Sequence, residues 1–139
     1  MKLRRIAAAI LGITVIGISG LCYAQNGDFG KREYDNSCAV CHGYQGEGKG
    51  PYSAFINASI PNLTTLSKGN NGVFPFQQVY EVIDGRRVIK AHGSQDMPIW
   101  GTRYMVIADA HQFTPYDREA YVRTRILALT EYIYRLQAK

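Results

Sequence analysis

Cys38, Cys41 and His42 place two thiols three residues apart with an imidazole directly behind the second, in the stretch CAVCH. That combination serves three chemistries. It can be a redox dithiol, half of a zinc site, or the covalent seat of a haem whose iron is held by the histidine. A dithiol of the first kind should follow a strand and open a helix. Upstream of Cys38, however, NGDFGKREYDNS is polar and lacks the alternation of a strand. Structural zinc wants a second closely spaced pair of ligands, and the remaining histidines, His92 and His111, stand 19 residues apart. Haem attachment needs what is present: a thiol for each vinyl group and His42 as the proximal ligand.

An iron held by His42 has a sixth position to fill. Met97 and Met105, with His92 and His111, are the available side chains. Met97 lies in AHGSQDMPIWG, where Pro98 fixes the backbone and Gly93 and Gly101 bracket a compact loop. Met105 lies in RYMVIADA, a helical stretch in which a methionine more often packs a core. Met97 is therefore the preferred sixth ligand, with His92, His111 or an open position as the alternatives. A neutral thioether favours ferrous iron more than a second imidazole does, and a filled site suits electron transfer better than oxygen chemistry. Directly after the motif, GYQGEGKGP carries four glycines in nine residues, enough for a tight curl around a flat group. Its last carbonyl, that of Pro51, is the expected acceptor for the second ring N–H of His42. An ordinary Gly-rich surface loop is the competing description. Trp100, three residues beyond Met97, is expected to pack on the methionine loop or on the haem.

Helices must position these groups. The first is expected from about Asp28 to Cys41, with Gly30 and Tyr34 one turn apart on one face. The last is the clearest: Thr114 caps it, Pro115 suits its first turn, and Asp117 favours the positive end of its dipole. Val122, Ile126, Leu129, Ile133 and Leu136 then form one apolar stripe, and Gly30 would allow a close crossing against it. Between them, Phe76, Val79 and Ile83 share a face of a helix that Gly85 can end in the left-handed conformation. PNLTTLSKGNNG reads as a short turn followed by a loop, and a further short helix is predicted from Arg103 to Asp109. No stretch reads as a sheet. The fold class is all-α.

The N-terminus has the three parts of a secretory signal peptide: Lys2, Arg4 and Arg5, the apolar run Ile6–Leu21, and small residues before a cleavage site after Ala24. That run has 16 residues, short of the roughly 20 a spanning helix needs. Residues 1–24 are thus expected to be removed and residues 25–139 to form one domain in the periplasm, a retained anchor being the alternative. Cys22 leaves with the leader, so Cys38 and Cys41 are the thiols of the exported chain. The formal charge of +5 drops to +2, because three of the sixteen Lys and Arg are lost and none of the eleven acids. Arg86, Arg87 and Lys90 form a basic patch too small for nucleic acid.

With CAVCHG and DMPIWG as anchors, Gly50-Pro51, and Gly30 and Tyr34 facing Leu129 and Tyr132, the chain resembles the class I cytochrome c family of bacteria over roughly residues 27–138. The resemblance implies a cytochrome c-like helical domain wrapped around one covalent haem c, attached through Cys38 and Cys41. It implies His42 and Met97 as axial ligands and the Pro51 carbonyl as support for the histidine. It also implies single-electron transfer without substrate turnover, to redox protein partners that meet an exposed haem edge near His92 and Gln95. Two other readings use the same residues: a catalytic or gas-sensing haem protein with a displaceable sixth ligand, and a cytochrome subunit of a membrane-bound respiratory complex.

Overall fold

A computed structural model describes residues 27–57, 59–86 and 97–138. The expected leader and its cleavage site, together with His92, Gln95 and the Arg87–Lys90 part of the basic patch, lie outside the described residues. Among the described residues five α-helices follow in order: α1 (Phe29–Ser37), α2 (Ala39–His42), α3 (Phe76–Asp84), α4 (Trp100–Ala110) and α5 (Pro115–Arg135). Short 3-10 turns at Ser53–Phe55, Leu63–Thr65 and Lys68–Asn70 punctuate the chain between α2 and α3. No strand occurs among the described residues, as an all-α domain requires.

Helix α5 is the axis of the molecule. The side chain of Thr114 accepts from the backbone N–H of Asp117 at 3.2 Å, and Pro115 occupies the first turn, so the helix starts where its capping residues dictate. Val122, Ile126 and Leu129 have no exposed surface and Ile133 is 3% exposed. Leu136, the last residue of the stripe, is only partly buried against this core.

Helix α1 is capped by the side chain of Asp28, which accepts from Lys31 N–H at 3.1 Å, and it crosses α5 at Gly30. A β-carbon at residue 30 would lie 2.3 Å from the carbonyl oxygen of Ala128 and 3.1 Å from Cβ of Tyr132. One turn on, fully buried Tyr34 packs its ring 5.1 Å from that of Tyr132. On another side of α1, buried Glu33 pairs with Arg125 of α5 and accepts from the hydroxyl of Tyr104 in α4 at 3.1 Å. The Arg125 guanidinium is stacked 4.4 Å from the Tyr121 ring centre. One carboxylate thereby joins three helices.

The first helix does not run unbroken to Cys41 as predicted. Cys38 departs from helical geometry (φ −115°, ψ −37°) and separates α1 from α2. Its N–H still bonds Tyr34 at 2.8 Å, and its carbonyl accepts from His42 at 2.9 Å. The break costs helical bonds across it, and Cys41 N–H bonds the Cys38 carbonyl at 3.1 Å in place of that of Ser37. Helix α4 begins at Trp100, three residues before the expected start, because the extended Ile99 after Pro98 already serves as its N-cap. Gly85 ends α3 in the left-handed conformation (φ 62°), its N–H bonded to Glu81 at 2.9 Å. On α3, Ile83 is buried and Val79 partly so, whereas Phe76 at the first turn is 39% exposed.

Because backbone, not a flexible side chain, blocks the space at Gly30, Gly30→Ala should destabilise the fold by about 1–3 kcal/mol. Urea denaturation followed by helical circular dichroism should show a lower midpoint with unchanged slope. Gly27→Ala, where no atom lies within 4 Å of the added carbon, should leave the midpoint in place.

Candidate functional site

Helices α2, α3 and α5 and the turns between Pro61 and Asn70 enclose a cavity of about 380 Å³, within the size range of cofactor sites. Its walls are chiefly apolar: Leu63 and Leu66 from the turns, Val79, Val82 and Ile83 from α3, and Ile133 from α5. Cys38, His42 and Met97 line the same space. Residues separated by more than fifty positions in the chain are thus brought to one chamber. Cys41 lies in the same short helix as His42, is partly exposed, and does not line the cavity.

His42 is 8% exposed, and its Nδ1 lies 3.2 Å from the carbonyl oxygen of Pro61. A carbonyl only accepts, so Nδ1 carries the proton and Nε2 is left with a free lone pair. Burial pushes the imidazole pKa below its ordinary value, partly offset by the Pro61 bond. The ring is therefore held neutral and in one tautomer, the state in which histidine binds a metal. Burial likewise pushes the Cys38 thiol up to about 12, which keeps it protonated and unreactive as a redox dithiol at neutral pH.

The acceptor is Pro61 and not Pro51. The chain after His42 folds back along the outside of α2: Gly48 N–H bonds the His42 carbonyl at 2.7 Å, Gly50 the Cys41 carbonyl at 2.9 Å, and Tyr52 the Val40 carbonyl at 2.8 Å. Those bonds carry Pro51 to an exposed position. The next pass of the chain returns inward. Leu63 N–H bonds the Gly46 carbonyl at 2.7 Å, which lays Pro61 over the imidazole. Gly48, with φ +80°, makes room for that pass, since a β-carbon there would meet the Ile60 carbonyl at 2.7 Å. The Gly-rich stretch works as expected in curling tightly, but it supports the histidine at one remove.

Other supports have no counterpart in the sequence reading. Gln137, just past α5, accepts from Ser67 N–H at 2.9 Å and donates to the carbonyls of Leu63 at 2.7 Å and Ile133 at 2.8 Å. It pins the wall formed by residues 63–67 to the last helix. Nothing in the sequence around a terminal glutamine signals such a role. Tyr34 donates its hydroxyl to the Gly43 carbonyl at 2.8 Å and so fastens the end of the CAVCH turn to α1. Trp100 is buried beside Tyr104, ring centres 6.0 Å apart, and belongs to the core against which Met97 packs. It does not line the cavity.

The donor set fits a covalent haem: an apolar chamber with the Cys38 thiol on its wall, a neutral imidazole with Nε2 free, a methionine on the same walls, and the second thiol, Cys41, three residues on in α2. A zinc site finds less support, since among the described residues no three His, Cys, Asp or Glu side chains are grouped to hold an ion. The family model for cytochrome c matches residues 28–122, from the cap of α1 into α5. The chain belongs to the cytochrome c family. No curated protein and no solved structure matches it. Cytochrome c membership carries with it a covalently bound c-type haem and haem-based electron transfer.

Gly48→Ala must displace the Ile60–Pro61 backbone, whereas Gly72→Ala (φ +83°, nothing within 4 Å) pays for the left-handed conformation alone. Gly48→Ala should therefore lose about 1–3 kcal/mol more in urea unfolding. It should also speed solvent exchange of the His42 Nδ1 proton, followed by NMR, while Gly72→Ala leaves that exchange unchanged.

Proposed function

We propose that this cytochrome c is a periplasmic single-electron carrier with one haem, tethered through Cys38 and Cys41 and axially ligated by His42 and Met97. The observation that carries the reading is that the His42 imidazole and the Met97 thioether line one apolar cavity. When bound, the haem supplies the one-electron chemistry. The chain's own residues bind, orient and exclude water. The Pro61 carbonyl keeps Nε2 of His42 free to coordinate and adds electron density to the ring. Met97 offers a soft, neutral donor that biases iron toward the ferrous state. Leu63, Leu66, Val79 and Ile83 keep the surroundings apolar, and a low-dielectric pocket disfavours the more highly charged ferric form.

Export is supported by the leader pattern at residues 1–24, because a thiol-attached haem suits a compartment outside the cytoplasm. Among the described residues no helix is long and apolar enough to cross a membrane. Donor and acceptor proteins would meet the haem edge through a small, transient interface. Val40, Tyr52 and Phe55 are exposed at 48%, 53% and 78%, and such apolar surface suits contacts that form and release quickly.

Optical spectra of the exported protein in both oxidation states test the assignment. Haem should survive acid–acetone extraction. The ferric form should show a sulfur-to-iron charge-transfer band that disappears in Met97→Ala, and CO should leave the ferrous spectrum of the wild type unshifted. Prompt CO binding by the wild type, with no such band, would replace Met97 with a displaceable sixth position and turn the reading toward gas binding or peroxide chemistry.

A further inference from the structure

Helix α3 is followed by Gly85 and Arg86, and the described chain resumes at Met97 on the cavity wall. The residues on either side touch. A β-carbon on Gly85 would lie 3.0 Å from Cγ2 and 3.3 Å from Cα of Ile99. A β-carbon on Gly101 would lie 1.9 Å from Oδ1 of Asp84 and 2.5 Å from its carbonyl oxygen. The end of α3 and the start of α4 are thus pressed together backbone against backbone, each at a glycine. Arg86 closes this corner. Its Nε donates to Asp84 Oδ1 at 2.5 Å, and its Nη1 and Nη2 donate to the two carboxylate oxygens of Glu119 in α5 at 2.8 and 3.3 Å. The Asp84 side chain is 14% exposed, that of Arg86 26% and that of Glu119 39%, so the network is most shielded at its Asp84 end. Hydrogen bonds from Arg86 and Arg123 hold the Glu119 carboxyl down at about 2, so the clamp stays ionised at neutral pH.

Little freedom is left between this corner and the thioether. Ile99 is pinned against Gly85. Pro98 has a fixed φ, and a residue preceding proline is itself confined to extended backbone; that residue is Met97.

We propose that Arg86, through Asp84 and Glu119, is a positioning residue for Met97: the three-residue clamp fixes the α3–α4 corner and so holds the thioether on the cavity wall. The role rests on the assignment of Met97 as the sixth ligand. It predicts that the clamp governs how often that ligand leaves, not whether the domain folds.

The test uses the full-length ferric holoprotein with imidazole as the displacing ligand. At saturating imidazole the observed substitution rate equals the rate at which the sixth ligand departs. Arg86→Gln and Glu119→Gln should each raise that rate by roughly tenfold, the effect of losing a charge-assisted bond. The double variant should do no more than Arg86→Gln alone, because Arg86 makes both bonds of the clamp and Glu119 only one of them. Arg86→Lys, which keeps the charge but not the bidentate fork, should fall between. Lys31→Gln, which removes an exposed ion pair within α1, should leave the rate at the wild-type value. Thermal unfolding of each variant, followed by circular dichroism, separates positioning from general loosening. The proposal is overturned if Arg86→Gln changes the rate by less than about twofold while the wild type shows the sulfur-to-iron band. It is equally overturned if the loss in unfolding stability accounts for the whole rise. Absence of the band in the wild type instead removes Met97 as a ligand, a separate failure that precedes any question about the clamp.

Discussion

The site hangs on the crossing of α1 over α5 at Gly30. There the two backbones meet so closely that the Ala128 carbonyl occupies the place of a side chain. This contact fixes the depth and direction at which α1 enters the core, and everything downstream is measured from it. One turn later Tyr34 is sealed against Tyr132, and its hydroxyl reaches the Gly43 carbonyl. The CAVCH turn is thereby held at both ends, by continuity with α1 through Cys38 and by the Tyr34 bond just beyond His42. A shift of α1 along α5 would carry both thiols and the imidazole with it. Dispersion and apolar burial supply the energy of the crossing, but the geometry comes from one missing methyl group.

The opposite wall is referred to the same helix. Ile133 lines the cavity from α5. Gln137, a turn further, satisfies two carbonyls and one N–H that would otherwise have to find other partners in a partly buried position. Since that turn carries Pro61 ahead of it, the carbonyl that orients His42 and the helix that orients the thiols share a single reference. The Glu33–Arg125–Tyr104 group extends this to α4. A buried carboxylate with its guanidinium contributes little net stability, but removing either partner strands a charge. Its value here is that it admits one relative placement of α1, α4 and α5.

Much of this was legible in the sequence where the signal is local. The capping residues of α5, its apolar stripe, the close approach at Gly30 and the left-handed stop at Gly85 each follow from residue type and short-range period. The motif puts forward the thiols and the histidine, and the Met–Pro pair puts forward Met97; the structure brings Cys38, His42 and Met97 to one cavity. The acceptor for His42 is not legible, because the nearest proline in the chain is not the nearest in space. The choice between Pro51 and Pro61 is made by long-range backbone bonds, above all Leu63 to Gly46, which leave no compositional trace. The break at Cys38 escaped for a related reason. It consists of one residue's dihedral angles and a switch of Cys41 N–H to the Cys38 carbonyl, neither of which residue types record. Gln137 and Glu33 owe their roles entirely to tertiary placement.

The two proposed axial residues are held by different physics. His42 is embedded in backbone: its N–H bonds Cys38, its carbonyl accepts from Gly48, and its ring donates to Pro61. Every one of these partners is a main-chain group that no substitution removes without moving the chain. Met97 has no comparable scaffold in the described residues. Its position depends on the fixed φ of Pro98, on packing against the core around Trp100, and on a corner closed by side-chain ion pairs. Backbone bonds inside a helical turn open only with the turn, whereas an ion pair with Glu119 at 39% exposure competes with water and salt. The asymmetry suits a covalently attached haem. Under the proposed ligation, the proximal side would be locked to the porphyrin by the cysteines, while the distal side would have only to keep a weak thioether bond closed. Sequence change can then tune the distal bond through surface charges without disturbing the attachment, and in this chain Arg86 is the residue best placed to do so.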